Sequence, residues 1–271
     1  MFSIEEMVLG LPMSSRKRAR REEVLALVAE RGAISVGALA DLLDVSMQTI
    51  RRDIEALCAD GGLRRQHGRV ELKGKRLNMP FDERAGTNPA AKTAIGEEAA
   101  RLIPDGASLF LSIGSTPLNV AQALRHRKEL TVMTNNLSAA MALSNEVSNR
   151  IILPGGELRL PDRDILGDDV LSFFGNYRAE FAVFGVAGIA EDGGMLDFHS
   201  AEVRVREEMR RNAQHSVLVL DSTKFGRLAP AAGGNIVDVD HVILDLVPNK
   251  TFAPLTERID SRLLVAEREM A

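Results

Sequence analysis

Cysteine is nearly absent: the 271-residue chain holds only Cys58. One cysteine excludes an intrachain disulfide and suits a reducing compartment. It cannot build a zinc site with five histidines that lack close HxH or HxxxH spacing, so no metal or other cofactor is expected. Long apolar runs are missing too, which excludes a bilayer-spanning helix. The first residues include Glu5 and Glu6 and no basic segment ahead of an apolar one, so they do not resemble a secretory signal. A cytoplasmic protein with no membrane partner is expected. Residues 1–13 are expected to be a disordered extension, with Met13 as plausible a start as Met1.

What is present is unevenly charged. The net charge is −4, yet residues 14–76 carry fourteen Lys and Arg against nine Asp and Glu. From residue 77 onward the counts are twenty and twenty-seven. A basic module on an acidic body suggests a polyanion as partner of the module.

Three helices and a hairpin are expected between residues 14 and 73. The first helix follows Ser15, carries Val24, Leu25, Leu27 and Val28, and ends near Gly32. The second starts at Ser35 as N-cap and runs through Leu39 and Leu42. A tight turn at Asp44-Val45 leads to Ser46, N-cap of the third helix. Leu63–Leu72, LRRQHGRVEL, forms two short strands around Gly68. This is the layout of a winged helix-turn-helix. At 100° per residue, Ile50, Ile54 and Leu57 share an inward face, while Gln48, Arg51, Arg52 and Glu55 lie opposite. The alternative is an ordinary solvated face salted with Asp53 and Glu55. Gln48 and Thr49 occupy the first turn, where such helices touch base edges; Gln suits adenine, and Arg suits guanine or phosphate. Cys58 lies between core and solvent faces and is expected to pack.

The same stretch resembles the DeoR family of bacterial transcription regulators, whose signature holds a TIRRDL helix followed by L-x-R-x-HGG. Here Thr49–Ile54 is TIRRDI and Leu63–Gly68 is LRRQHG. Arg69 and Val70 stand where the family usually has Gly-Ala. The resemblance implies double-stranded operator DNA as partner. Ser46, Gln48, Thr49, Arg51, Arg52, Arg65, His67 and Arg69 are the candidate residues facing it.

Residues 74–88 have no clear period and several breakers, so a linker is expected there, with a second domain over 89–271. Asn88-Pro89 supplies an N-cap and an N1 proline for a helix to about Ile103. Strands are then expected at Ser108–Ile113, Leu130–Thr134, Ile151–Leu153, Phe181–Val186, Val217–Leu220, Val242–Leu246 and Leu263–Val265. Helices are expected at Pro117–His126, Ser138–Asn145, Asp169–Phe174 and Ala201–Ala213. This alternation predicts an α/β domain with a parallel-rich sheet, and such sheets bind ligands at the carboxyl ends of their strands.

Polar and glycine residues collect at those ends. Ser112, Gly114, Ser115 and Thr116 follow the first strand, with Thr116 as cap and Pro117 at the first helical position, an arrangement suited to a phosphate. Asn135 and Asn136 follow the second strand; Gly155, Gly156 and Glu157 follow the third. Asp197 precedes Glu202 and Arg204, and Lys224 follows the fifth strand as a point charge. Each alone fits a turn or a cap; together they predict a site for an anionic, hydroxylated small molecule.

These positions are also similar to the sugar-phosphate sensor domain of the DeoR family, whose fold is related to ribose-5-phosphate isomerase. TNNLSAA, IILPGGELR and DSTKFGR point to the glycerol-phosphate branch. The resemblance implies a repressor released from its operator by a phosphorylated effector, sn-glycerol 3-phosphate first, a hexose phosphate second. It also implies no enzymatic activity. The competing expectation is an isomerase-like enzyme fused to a DNA reader, with Glu202, Asp197 and Asp221 as acid and base and Lys224 stabilising an enediolate. A homodimer or homotetramer is expected, because helix-turn-helix readers usually meet half-sites as dimers.

Overall fold

The computed structural model describes residues 34–59, 63–66, 69–72 and 79–267. Before them it describes Lys17, Arg20, Arg21, Glu23, Val24, Leu25, Leu27 and Val28. The extension expected over residues 1–13, and His67 and Gly68 at the wing tip, lie outside the described residues. The chain divides into two compact units, Met1–Asn78 and Met79–Ala271.

In the first unit, helical residues carry Val24, Leu25 and Val28 into a core with Leu39, Ile50, Ile54, Leu57, Leu63 and Val70. Helix α1 (Val36–Leu42) starts at Ser35, whose hydroxyl accepts from the Ala38 amide at 3.1 Å. Asp44 takes the left-handed conformation that turns the chain into α2 (Met47–Ala59). Two strands, β2 (Leu63–Gln66) and β3 (Arg69–Leu72), pair antiparallel as the wing. A short strand not expected from sequence, β1 (Ile34–Ser35), joins β3 to make a three-stranded sheet. Cys58 packs half-buried against this core.

The second unit is a seven-stranded parallel sheet. Its strands are β4 (Ser108–Leu111), β5 (Thr131–Thr134), β6 (Arg150–Ile152), β9 (Ala179–Phe184), β12 (Ala213–Val219), β14 (His241–Leu244) and β15 (Leu263–Val265). Their spatial order is β15-β14-β12-β9-β4-β5-β6. Side chains alternate between faces along each strand. Leu109, Leu111, Val132, Val217 and Val219 meet α4 (Pro89–Leu102), α5 (Ser115–Ala123) and α6 (Leu137–Leu143). Phe110, Met133 and Ala182 point the other way, onto α7 (Asp168–Gly175) and α8 (Ser200–Arg211). Leu218, Val242 and Leu244 meet α9 (Ala253–Ile259) on that same side of their strands. Burial on both faces explains why these strands are mostly apolar.

The chain winds outward from β4 through β5 and β6, then returns to the other side of β4 as β9. That reversal opens a crevice at the carboxyl ends of β4 and β9, where open α/β sheets bind ligands. Around it lie two small antiparallel additions not expected from sequence: β7 (Leu158–Arg159) with β8 (Asp164–Ile165), and β10 (Gly188–Ile189) with β11 (Gly194–Asp197) and β13 (Ala231–Asn235).

The expected linker needs correction. Its second half holds a helix, α3 (Phe81–Ala85), and belongs to the second unit. The Phe81 ring is buried and its amide donates to the Pro161 carbonyl at 3.3 Å, so this stretch is anchored structure. Asn88 does precede α4, but in a left-handed conformation and without a side-chain cap.

Candidate functional site

In the first unit, Ser46 accepts from the Thr49 amide at 3.2 Å, and its hydroxyl lies 2.9 Å from that of Thr49. This cap starts α2 with Gln48, Arg51, Arg52 and Glu55 exposed and Ile50, Ile54 and Leu57 buried. Arg65 extends from β2 to α2, donating to the Arg51 carbonyl at 3.3 Å and lying 3.6 Å from Glu55. Wing and helix therefore present one basic surface. Arg69 is exposed while Val70 beside it is fully buried, so the departure from Gly-Ala adds a charge outside and an anchor inside. Asp53 corrects the sequence reading. It is 1% exposed, not a salting of the solvent face, and accepts from Arg20 at 2.6 Å and Arg21 at 3.2 Å. The RRD run thus splits, two arginines outward and one aspartate inward.

In the second unit, Gly114 adopts φ +113°, a backbone that favours glycine, and turns β4 into α5. Ser112, Ser115 and Thr116 are buried around the turn. The helix begins at Ser115, so Thr116 does not cap it and Pro117 is its third residue. The first amides of α5 therefore face the crevice without intrahelical acceptors, as an anion requires. Asn136 holds this loop in place. Its amide donates to the carbonyls of Ser112 at 3.2 Å and Gly114 at 3.3 Å, and its oxygen caps α6 at the Ala139 amide, 3.1 Å away. Both ends of that side chain are engaged, so Asn136 positions the loop. Asn135 differs: its amide donates to the Ile165 carbonyl at 2.8 Å, while its buried oxygen has no partner among the described residues.

Lys224 ends a short 3-10 turn capped by Asp221. Burial, then the charge of Arg227, pushes its ammonium down to about 8, with Asp221 opposing and Lys92 and Arg84 adding to the push. The sequence reading missed these three cations. Lys92 is only 2% exposed, and burial lowers its proton affinity against the pull of Asp221. It lies on the stripe of α4 that carries Ile95 and Ala99, and a charge on an apolar stripe was the signal available. Arg227 sits three residues past Lys224, pressed against Gly188, where a Cβ would lie 1.9 Å from the Arg227 carbonyl oxygen. Arg84, in the supposed linker, had no signal at all. Four cations from three separate segments thus share one electrostatic neighbourhood, with Asp221 the carboxylate that attracts Lys92, Lys224 and Arg227 alike.

The remaining candidates have partners of their own or lie exposed. Asp197 is buried, accepts from the Ala187 amide at 3.1 Å and pairs with Arg206; burial pushes its carboxyl up to about 7 against that pairing. Glu202 accepts from the His199 amide at 3.3 Å and from Arg159 at 3.3 Å, closing a capping box. Arg204 is exposed and pairs with Asp168 at 3.3 Å. Gly155, Gly156 and Glu157 are exposed ahead of β7. Arg159, unremarked in the sequence, ties the region together through Asp164 at 2.7 Å as well as Glu202.

Comparison with known proteins agrees with both halves of this description. Residues 20–76 match the DeoR-like helix-turn-helix domain, and residues 87–246 match the DeoR C-terminal sensor domain. The chain is 38% identical over 233 residues to the glycerol-3-phosphate regulon repressor of Escherichia coli K12, covering 86% of this chain and 92% of that one. It is 36% identical over 229 residues to the HTH-type transcriptional repressor CsqR of the same organism, covering 84% and 88%. Ribose 5-phosphate isomerase A of Methanocaldococcus jannaschii is a distant structural likeness, with a TM-score of 0.38 and 17% identity over 52% of this chain and 56% of that one.

Proposed function

The chain belongs to the DeoR family of transcriptional regulators, and from that premise we propose that it is a repressor whose second unit binds a phosphorylated small molecule, sn-glycerol 3-phosphate, and thereby releases operator DNA from the first. The observation that carries this reading is the meeting of Lys92, Lys224, Arg227 and Arg84 at the sheet edge that also holds the Gly114 loop. Lys92 is buried and the other three cations are partly buried. With Asp221 and Asp162 as their counter-charges, such a cluster suits an anion, and helix-start amides suit phosphate oxygens. Glycerol phosphate is favoured over other esters by the name of the 38%-identical relative.

Isomerisation finds no support. The family is one of regulators, and Asp197, Glu202 and Asp221, the carboxylates suited to acid–base work, are occupied by Arg206, Arg159 and the Thr223 amide.

The DNA-facing residues are Ser46, Gln48, Thr49, Arg51, Arg52, Arg65 and Arg69, with His67 added from sequence. The protein acts as a dimer or tetramer, so that two recognition helices meet two half-sites. The effector must bind the DNA-released form more tightly, since equal affinity for both forms shifts nothing. The test is a fluorescence-anisotropy titration of operator with sn-glycerol 3-phosphate, with fructose 1-phosphate and inorganic phosphate as controls. Release by sn-glycerol 3-phosphate alone is expected, and Lys224→Ala should bind operator yet not respond. Release only by a hexose phosphate changes the effector; no release by any phosphate ends the sensor reading. On the DNA side, Arg51→Ala with Arg52→Ala should weaken operator binding and flatten its salt dependence by about one unit for each DNA phosphate no longer neutralised.

A further inference from the structure

Resting on that reading of the site, we infer that Lys92 and Arg84 are direct ligands of the effector's phosphoryl group, and that the bound group fastens helix α3 to the second unit.

Helix α3 spans five residues, too few to hold itself together. Besides the buried Phe81 ring, polar bonds hold it. The Phe81 amide donates to Pro161, Asp82 pairs with Arg163 at 2.9 Å, and Arg84 pairs with Asp162 at 2.5 Å. All three reach the same turn between β7 and β8. Another comes from Lys92, whose ammonium donates to the Arg84 carbonyl. Exposed pairs such as Asp82 with Arg163 contribute little.

Two features point to an anionic ligand here. The Arg84 Nε is buried without a hydrogen-bond acceptor among the described residues, although its Nη2 is engaged by Asp162. An unmade bond at a charged donor is costly. The Lys92 ammonium has three donors, of which Arg84 takes one. Both groups lie within the electrostatic reach of Lys224 and Arg227, so four cations share one neighbourhood with the carboxylates of Asp221 and Asp162. A phosphoryl group among them supplies acceptors for the Arg84 Nε and the remaining Lys92 donors while keeping the Asp162 pair and the Arg84 carbonyl bond intact. Charge-assisted bonds to phosphate are roughly twice as strong as neutral ones. Occupancy therefore tightens α3, the first described element after the DNA-binding unit, and a metabolite-dependent grip on that segment is a route from sensor to operator.

The experiment uses the full chain, with sn-glycerol 3-phosphate and, separately, inorganic phosphate as probes. Amide hydrogen exchange over residues 79–88 is followed with and without probe, and binding is measured by calorimetry on the same samples. Saturation is expected to slow exchange at Phe81, whose amide reports docking on Pro161, by about tenfold or more. Lys92→Met should bind operator as the wild type does, bind the probe about tenfold more weakly or worse, and lose the protection. Methionine keeps the buried volume of Lys92 and removes its charge, and a circular dichroism melt checks that the variant folds; Arg84→Gln is the second variant, with the same expectation. Wild-type probe affinity in both variants, or unchanged exchange over 79–88 in a saturated wild type, overturns this inference and leaves the site reading standing wherever Lys224→Ala abolishes binding. If neither probe nor any other phosphate ester binds the wild type, both fall together.

Discussion

Asp53 directly follows two outward arginines, Arg51 and Arg52, and still points inward. A helical wheel places it near the boundary, and only the folded neighbours decide: Arg20 and Arg21 from the preceding helical residues both donate to it. Asp53→Asn leaves two arginines without their shared counter-charge, and breaking such a buried pair costs about 3 kcal/mol. Labelling of Cys58, the only thiol, should report it as roughly hundredfold more frequent opening of the first unit, since each 1.4 kcal/mol is about tenfold. Lys224 makes a prediction of the opposite kind, in pH. Its proton affinity is lowered to about 8, so it is cationic below that value and neutral above. Arg84, Lys92 and Arg227 oppose its charge and Asp221 favours it. A phosphate ester is a dianion above about pH 6. Effector affinity should therefore hold between about pH 6.5 and 7.5 and fall as pH rises through about 8, with protons taken up on binding near that pH. Calorimetry in buffers of different ionisation enthalpy checks both; a flat profile to about pH 9.5 removes Lys224 from the anion's ligands. At this scale the sequence exposed Lys224 and Gly114, because they follow strands in recognisable turns. It hid Arg84, Arg159 and Arg227, whose roles come from contacts across tens of residues.

Elements were legible where packing is two-sided. The seven strands of the large sheet are short apolar runs because helices cover both faces, and that pattern survives without a structure. The additions around the crevice were not legible: β13 is AAGGN, β7 and β8 are two residues each, and α3 is too short for a period. These irregular pieces surround the site, so its frame was readable and its walls were not. Asn136 joins frame to wall. Asn136→Ala removes the α6 cap, worth about 1 kcal/mol, and two bonds to the Gly114 loop, so a loss of about 2–3 kcal/mol is expected in urea unfolding of the second unit. Effector affinity should fall with it, because the amides at the start of α5 lose their fixed aim. Arg204→Ala, which removes only an exposed pair with Asp168, should change neither.

For the whole molecule, each unit has its own ligand, and each ligand stabilises the unit it binds. An effector at about a hundred times its dissociation constant adds about 2.7 kcal/mol to the second unit, and calorimetric scans should show that unit alone shifting upward with sn-glycerol 3-phosphate. Operator should shift the other. The four-cation cluster then has a consequence for the lifetime of the protein in the cell. A repressor on DNA has its first unit shielded, and a repressor full of metabolite has the cation cluster of its second unit paired with an anion; a chain holding neither is the form expected to open most often. Proteases act on the opened fraction. Limited proteolysis should cut the ligand-free chain fastest and spare either complex, so surplus copies, those that find neither an operator nor an effector, are the ones removed first.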